Sequence, residues 1–421
     1  MAWRVPGRPD ERSPTRNDWL EAYHRPGLIL HLGGRVAAAL LECSDSSIFR
    51  AKGGILRDFL IIGGGVIGCA TAWELARAGA RVALVERGLL GGESSWAGAG
   101  LLFPLLPWDY RPEVARLAQL GRRLFADWAA ELAAESGIDP EYTVSGLLVL
   151  PPYDREAALA WTAQEREEAA EVSARLVEPL LDYSGLALWL PQVAQVRNPR
   201  LIAALRGALL ARGVQIVEDT GGIRWLRDGA RILGVETAAG GRLEAASCVV
   251  AAGAWSAELA KSLGVDLPIR PVRGQMLLFH APGALKRMLL TGGRYLVPRR
   301  DGHVLVGSTL EETGFDKAVT EVARRELMQL AQELVPALRG RVPLRHWSGL
   351  RPGSPDNLPI IGRAPGFSNL WLHTGHFRYG VTMAPASARL FADIVLDRPP
   401  LLDPEPYRLR ESGGGDPATG N

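Results

Sequence analysis

Cysteine is scarce in this chain: three in 421 residues, Cys43, Cys69 and Cys248, scattered along it. No pair has the spacing of a metal site or a disulfide framework, so neither is expected, and a reducing cytoplasmic setting fits. Charge of one sign is lacking too. Lys and Arg number 48 against 46 Asp and Glu, a net of +2, too balanced for a nucleic-acid or anionic-membrane surface. Long uncharged apolar runs are absent. The nearest, residues 27–41, is broken by His31 and Arg35 and lies too deep to be a signal-peptide core. The length exceeds one ordinary domain, so two packed domains or one large one are expected.

What is plentiful is glycine, and one cluster organises the rest. Residues 59–62 are an apolar run that reads as a buried parallel strand. It ends in Gly63-Gly-Gly-Val-Ile-Gly68, after which a helical pattern runs from about Val66 to Ala78 and stops at Gly79. Residues 81–85 read as a second buried strand, with Glu86 at its end. This complete strand–helix–strand unit is the pattern of dinucleotide binding. Gly63 permits the tight turn, Gly65 lets the backbone approach a pyrophosphate, and Gly68 lets helix and strand pack closely. The helix N-terminus offers N–H groups to phosphate, and Glu86 has the spacing of a ribose-binding acid.

Residues 1–55, rich in Arg, Pro, Asp and Ser, are expected to be a disordered leader, or to precede a true start near Leu56. After Glu86 comes a dense run of small residues, with Ser94 and Ser95 as candidate phosphate donors. Helices are expected over 113–136 and 154–174, with strand character at 142–150, and a further helix over 198–212. Strands are expected at 214–217 and 222–225, and a hairpin at 232–244 turns at Gly240-Gly241. The run Cys248-Val-Val-Ala-Ala-Gly253-Ala-Trp255-Ser256 is a second strand-to-helix junction, so the nucleotide domain is expected to be discontinuous. Residues 272–279 and 295–310 alternate like an antiparallel sheet turning at Asp301-Gly302. A helix follows over 321–338. A third strand–turn–helix spans residues 370–385, and the tail from Glu411 is expected to be disordered.

Six segments together carry a resemblance. They are Gly63-Gly-Gly-Val-Ile-Gly68, Ser94-Ser-Trp-Ala-Gly-Ala-Gly100, Gly253-Ala-Trp-Ser256, Tyr295-Leu-Val-Pro-Arg299, Gly349-Leu-Arg-Pro352 and Gly375-His-Phe-Arg-Tyr-Gly380. Over residues 58–398 the chain resembles the glycine/D-amino-acid oxidase family of FAD-dependent enzymes, and within it the glycine-oxidase branch of bacterial thiamine biosynthesis. The first segment alone marks only dinucleotide binding; the last three, in this order, are far more specific.

The resemblance implies an α/β chain: a discontinuous Rossmann-like FAD-binding domain with an antiparallel-sheet substrate domain. After the leader (1–55), FAD-binding segments are expected at 56–140, 196–265 and 346–400. Substrate-domain segments are expected at 141–195 and 266–345, and a tail at 401–421. By resemblance, Val66 and Ile67 meet the pyrophosphate, and Glu86 and Arg87 the adenosine ribose. Ser94, Ser95, Ala99, Gly100 and Leu101 line the pyrophosphate and flavin. Gly253 lies at the cofactor, and the backbone near Gly222 reaches the adenine. His376, Phe377, Arg378, Tyr379, Gly380, Val381 and Thr382 cradle the isoalloxazine ring, where the helix dipole favours an anionic flavin. Arg351 is similar to the arginine that clamps the substrate carboxylate, Arg378 to a second active-site arginine, and Tyr295 to a pocket tyrosine. Leu310 falls where such enzymes tend to carry methionine in the substrate pocket. The residue types alone leave alternatives: Arg351 pairing with a loop acid, Arg378 at the surface, Tyr295 in ordinary strand core. His373 and His376 read as structural rather than as general bases. The run Ser94-Ser-Trp-Ala-Gly98 holds no His or Cys for covalent attachment, so noncovalent FAD is expected.

The implied reaction is oxidation of glycine, with sarcosine and small D-amino acids as open alternatives. The product is the imine or glyoxylate, dioxygen gives hydrogen peroxide, and dehydroglycine goes to a thiazole synthase. A homo-oligomer is implied, and neither nucleic acid nor membrane is an expected partner. Two rivals remain at this stage: a D-amino-acid dehydrogenase feeding quinone, and a binding or assembly module whose FAD is structural.

Overall fold

The computed structural model describes residues 57–409. The leader expected over 1–55, the alternative start at Leu56 and the tail from Glu411 lie outside these residues.

Strand Arg57–Ile62 is central to the first sheet. It pairs in parallel with Val82–Val85 on one side and with Arg242–Val250 on the other. Gln215–Val217 and Leu370–Thr374 extend the parallel set at the two ends, and Ile360–Arg363 adds an antiparallel strand beyond Leu370–Thr374. Side chains alternate along the central strand, and both faces are covered, so it reads as an unbroken apolar run. Phe59 and Ile61 pack into one core with Cys69 and Trp73 of helix Val66–Arg77. Leu60 and Ile62 pack into another with Ala260 and Leu263.

The second sheet runs, in order, Arg345–Gly353, Arg270–His280, His303–Gly307, Arg294–Pro298, Met288–Thr291, Leu147–Val149, Leu186–Leu190 and Ala170–Ser173. One face packs under helix Glu321–Leu334, where Leu327 and Ala331 meet Leu277, Phe279, Leu296 and Val306. The other face carries Met276, Tyr295, Val297 and Leu305 into the core that contains the first sheet's helices. Period-two alternation along 294–298 therefore sends Tyr295 toward the space between the two sheets.

Several expected elements differ. The helix expected over 154–174 ends at Glu165, with Arg166 left-handed, and Ala170–Ser173 is an edge strand. Glu167 is held instead by a bidentate ion pair with Arg122 at 2.9 and 3.0 Å, which draws the chain off the helical path. Residues 242–250 form one continuous strand that serves both the hairpin and the parallel sheet. The helix from Glu321 ends at Leu334, one residue short of Val335-Pro336, and a short 3-10 turn follows. The boundary expected at residue 346 falls inside Arg345–Gly353, which is zipped antiparallel to Arg270–His280 in the second sheet.

Candidate active site

A cleft of about 490 Å3 lies between the two sheets. One end is built by the glycine turn. A Cβ on Gly68 would sit 1.9 Å from the Gly63 carbonyl oxygen, so this glycine packs helix against strand and does not face the cleft. Gly63, Gly65, Val66 and Ile67 do line it. The first turn of helix Val66–Arg77 holds no acidic residue of its own, which suits the approach of an anion. Ser95 Oγ accepts the Val66 N–H at 2.9 Å and caps this helix from a distant loop.

Glu86 also lines the cleft. Its carboxylate accepts from the backbone N–H groups of Gly64 (2.7 Å) and Gly88 (3.0 Å). Burial raises its pKa above the ordinary value, against the pull of those two hydrogen bonds. Arg87 lies over the Trp255 ring, 3.6 Å from its centre, and donates to Glu93 at 2.7 Å. Ser94, Ala99, Gly100, Leu101, Gly222 and Gly253 complete this part of the wall. A Cβ on Gly222 or Gly253 would meet nothing within 4 Å. Arg299 stands behind the wall and fixes it, donating to the carbonyls of Ala99 (2.5 Å) and Val196 (2.9 Å).

The other end gathers Tyr295, Arg351 and residues 376–382. Arg351 donates to Ser308 Oγ at 2.6 Å and to the Thr309 carbonyl at 3.2 Å. Burial pulls its pKa below the ordinary arginine value, and nearby Arg378 adds to that, against the opposing influence of Tyr295. Arg378 donates to the Gly293 carbonyl at 2.8 Å. Among the described residues, neither guanidinium has a carboxylate partner. Phe377 stands at a φ of 45° in the short turn before helix Gly380–Val395. Tyr379 packs edge-on to Tyr110, Val381 lines the wall, and Thr382 donates to the Leu101 carbonyl at 3.3 Å.

His373 and His376 are both buried, and each places Nε2 2.7 Å from Ser387 Oγ. His373 Nδ1 lies 2.7 Å from Thr71 Oγ1. Burial pushes His376 down to about 3 and His373 well below its ordinary value, with His376 adding to the effect on His373. Both rings are neutral at physiological pH and held in a fixed network.

Besides Gly68, which is expected among the cofactor-binding residues and packs helix on strand, one further expected site residue lies off the cleft wall. Leu310 is 57% exposed and is not part of the cleft wall. Thr309 and Glu311 turn back onto strand Arg270–His280, through Thr309 Oγ1 to Gln275 N and a paired backbone bridge between Glu311 and Arg273. Leu310, between them, faces outward. Met276, Gly274, Asn198, Gly349 and Trp255 line the cleft without having been singled out as binding residues. Glycines interrupting apolar strands at 274 and 349 were the available signal; Asn198 and Met276 carried none.

Among the described residues, no helix is long and apolar enough to cross a membrane, and no group of His, Cys, Asp and Glu could hold a metal ion.

Residues 58–394 match the family model DAO, FAD dependent oxidoreductase. The chain is 47% identical over 356 residues to the glycine oxidase of Pseudomonas aeruginosa, covering 83% of this chain and 97% of that protein. It is 34% identical to the bifunctional protein ThiO/ThiG of Nostoc sp., over 81% of this chain and 53% of that one. The crystal structure of glycine oxidase from Geobacillus kaustophilus superposes with a TM-score of 0.79 at 30% identity, covering 86% of this chain and all of that one.

Proposed function

Because the chain belongs to the DAO family of FAD dependent oxidoreductases, we propose that it oxidises glycine to its imine, with dioxygen reduced to hydrogen peroxide. The observation that carries the substrate reading is the pair Arg351 and Arg378. Among the described residues these two guanidiniums have no carboxylate partner, and they line a cleft of dinucleotide-binding type. A small anion is what they lack.

The residues present fit FAD. Gly222 and Gly253 leave open space that any side chain would fill. The acid-free helix start and Ser94 and Ser95 suit a pyrophosphate, and Glu86 and Arg87 suit the adenosine ribose. Gly63, Gly65, Val66, Ile67, Ala99, Gly100, Leu101 and residues 376–382 would hold the remainder. Attachment is noncovalent in this reading, since Cys69 and Cys248 are outside the wall and the run Ser94-Ser-Trp-Ala-Gly98 holds no His or Cys. FAD, when bound, supplies the two-electron oxidation of the Cα–N bond.

The chain's own part is positioning. Arg351 presents planar N–H donors to the glycine carboxylate, a geometry that lysine does not offer. Arg378 adds a second positive charge, and Tyr295 closes the pocket beside them. Fixing the carboxylate orients the Cα–H and removes translational freedom that free glycine would otherwise lose in the reaction. The amine must be neutral for its lone pair to assist, and neutral His373 and His376 add no competing charge.

In the same proposal the enzyme is cytoplasmic, forms a homo-oligomer and passes its imine to a thiazole synthase. The fused ThiO/ThiG name of a relative supports that partner. We also retain the discontinuous two-domain division, with the third FAD-binding segment beginning after Gly353. Names of oxidases among the similar proteins favour oxygen over quinone as acceptor. The test is stoichiometry under air: glycine should yield peroxide and glyoxylate in equal amounts. Glycine turnover that requires an added quinone, with no peroxide, would overturn the oxidase reading.

A further inference from the structure

We propose that Ser308 is a positioning residue for carboxylate recognition, fixing the Arg351 guanidinium and the Tyr295 phenol against each other from behind the cleft wall. The proposal rests on the reading of Arg351 as the carboxylate clamp.

Ser308 is 6% exposed and is not part of the cleft lining. Its Oγ lies 2.6 Å from Arg351 Nη2 and 3.2 Å from the Tyr295 hydroxyl. A guanidinium can only donate, so Ser308 accepts from Arg351 and still has capacity for the phenol. Arg351 Nη1 donates to the next carbonyl, Thr309, at 3.2 Å. One N–H on each terminal nitrogen is thus anchored, and the fork keeps its other donors for a ligand. The guanidinium also lies against Gly274, where a Cβ would come within 2.2 Å of both terminal nitrogens. It is held both beneath and behind.

The anchor is itself rigid. Thr309 Oγ1 accepts from the Gln275 N–H at 2.9 Å and donates to Glu311, and Glu311 pairs with buried Arg273. The Ser308 hydroxyl therefore sits on a segment pinned to strand Arg270–His280. Without that hydroxyl, Arg351 keeps its charge but loses a fixed edge. Tyr295 then keeps Met276 Sδ, at 3.6 Å, and its approach to Arg351, but loses the oxygen that ties the two together. Carboxylate binding would have to order the fork as well as occupy it.

The experiment titrates the FAD-loaded protein with acetate, a carboxylate without an amine, and follows the flavin absorption. The proteins compared are the unaltered chain, Arg351→Ala, Ser308→Ala and Ser308→Thr. Ser308→Ala should weaken acetate roughly tenfold, the scale of one hydrogen bond to a charged group. It should raise KM for glycine by a similar factor, with kcat and FAD content nearly unchanged. Ser308→Thr, which retains the hydroxyl, should restore both. Where the alanine variant does not retain FAD, Ser308→Cys keeps the volume, weakens the acceptor and carries the same expectation. Acetate affinity and KM unchanged in these variants would overturn the proposal. So would equal weakening in the alanine and threonine variants. If Arg351→Ala binds acetate as tightly as the unaltered chain, the clamp reading itself fails; if only Ser308→Ala does, the clamp stands and the Ser308 role falls.

Discussion

Ser95 Oγ accepts the Val66 N–H at 2.9 Å, joining the small-residue loop to the first turn of the dinucleotide helix across 29 positions of sequence. The helix's own N-cap, Gly65, offers no side chain for this. Ser95 does the capping instead, leaving Gly65 bare for a close approach. Ser95→Ala should cost about 1 kcal/mol, as loss of a helix cap does. Urea unfolding with and without FAD would show the loss, together with weaker FAD retention. KM for glycine, measured with FAD saturating, should stay unchanged.

Arg351→Ala should raise KM for glycine on the order of 100-fold, since two hydrogen bonds to a carboxylate are lost. FAD content, read from the visible spectrum, should be preserved because Arg351 bonds to Ser308 and Thr309 and not to the glycine turn. Arg351→Lys should recover only part of the loss, having the charge without the fork. Steady-state kinetics of the three proteins would check both statements; an unchanged KM removes Arg351 from the carboxylate role.

The nucleotide half of the fold was legible because its information is local. Residues 58–86 carry strand, turn, helix and acid in a single stretch, and their pairing follows from period and spacing alone. Arg351, Arg378 and Tyr295 were reachable through short motifs that resemble those of a known family, and the structure brings all three to one end of the cleft. Leu310 was not, because its orientation depends on Thr309 and Glu311 bonding to a strand more than 30 residues earlier. Ser308, Met276 and Asn198 were likewise invisible: their roles arise where strands distant in sequence meet. The helix expected over 154–174 failed for the same kind of reason, since Arg122 captures Glu167 from another helix.

Gly68→Ala places a methyl 1.9 Å from the Gly63 carbonyl oxygen, where backbone and not a flexible side chain must yield. The strand–helix contact would have to open, at a cost on the order of 3 kcal/mol. The expected outcome is a lowered Tm and little bound FAD, in contrast to Ser308→Ala and Arg351→Ala, which keep it. Thermal unfolding with absorbance at the flavin band distinguishes these classes.

Burial pushes His376 down to about 3, so the unfolded chain binds a proton near pH 6.5 that the folded chain refuses. A depressed pKa of this kind gives stability that is complete above pH 6.5 and declines as pH falls toward 3. Between pH 7.5 and 5.5 this one group should remove about 1.4 kcal/mol. Urea unfolding across that range should show a shallower pH dependence for His376→Asn than for the unaltered chain. Equal slopes would mean that His376 is not held neutral by the fold.

The most direct test of glycine oxidation is the visible spectrum of the FAD-loaded protein, followed without oxygen as glycine is added. With glycine as substrate, the yellow absorption bleaches and admitting air restores it. A yellow protein whose spectrum glycine leaves untouched would contradict the assignment of glycine as substrate while leaving FAD in the cleft.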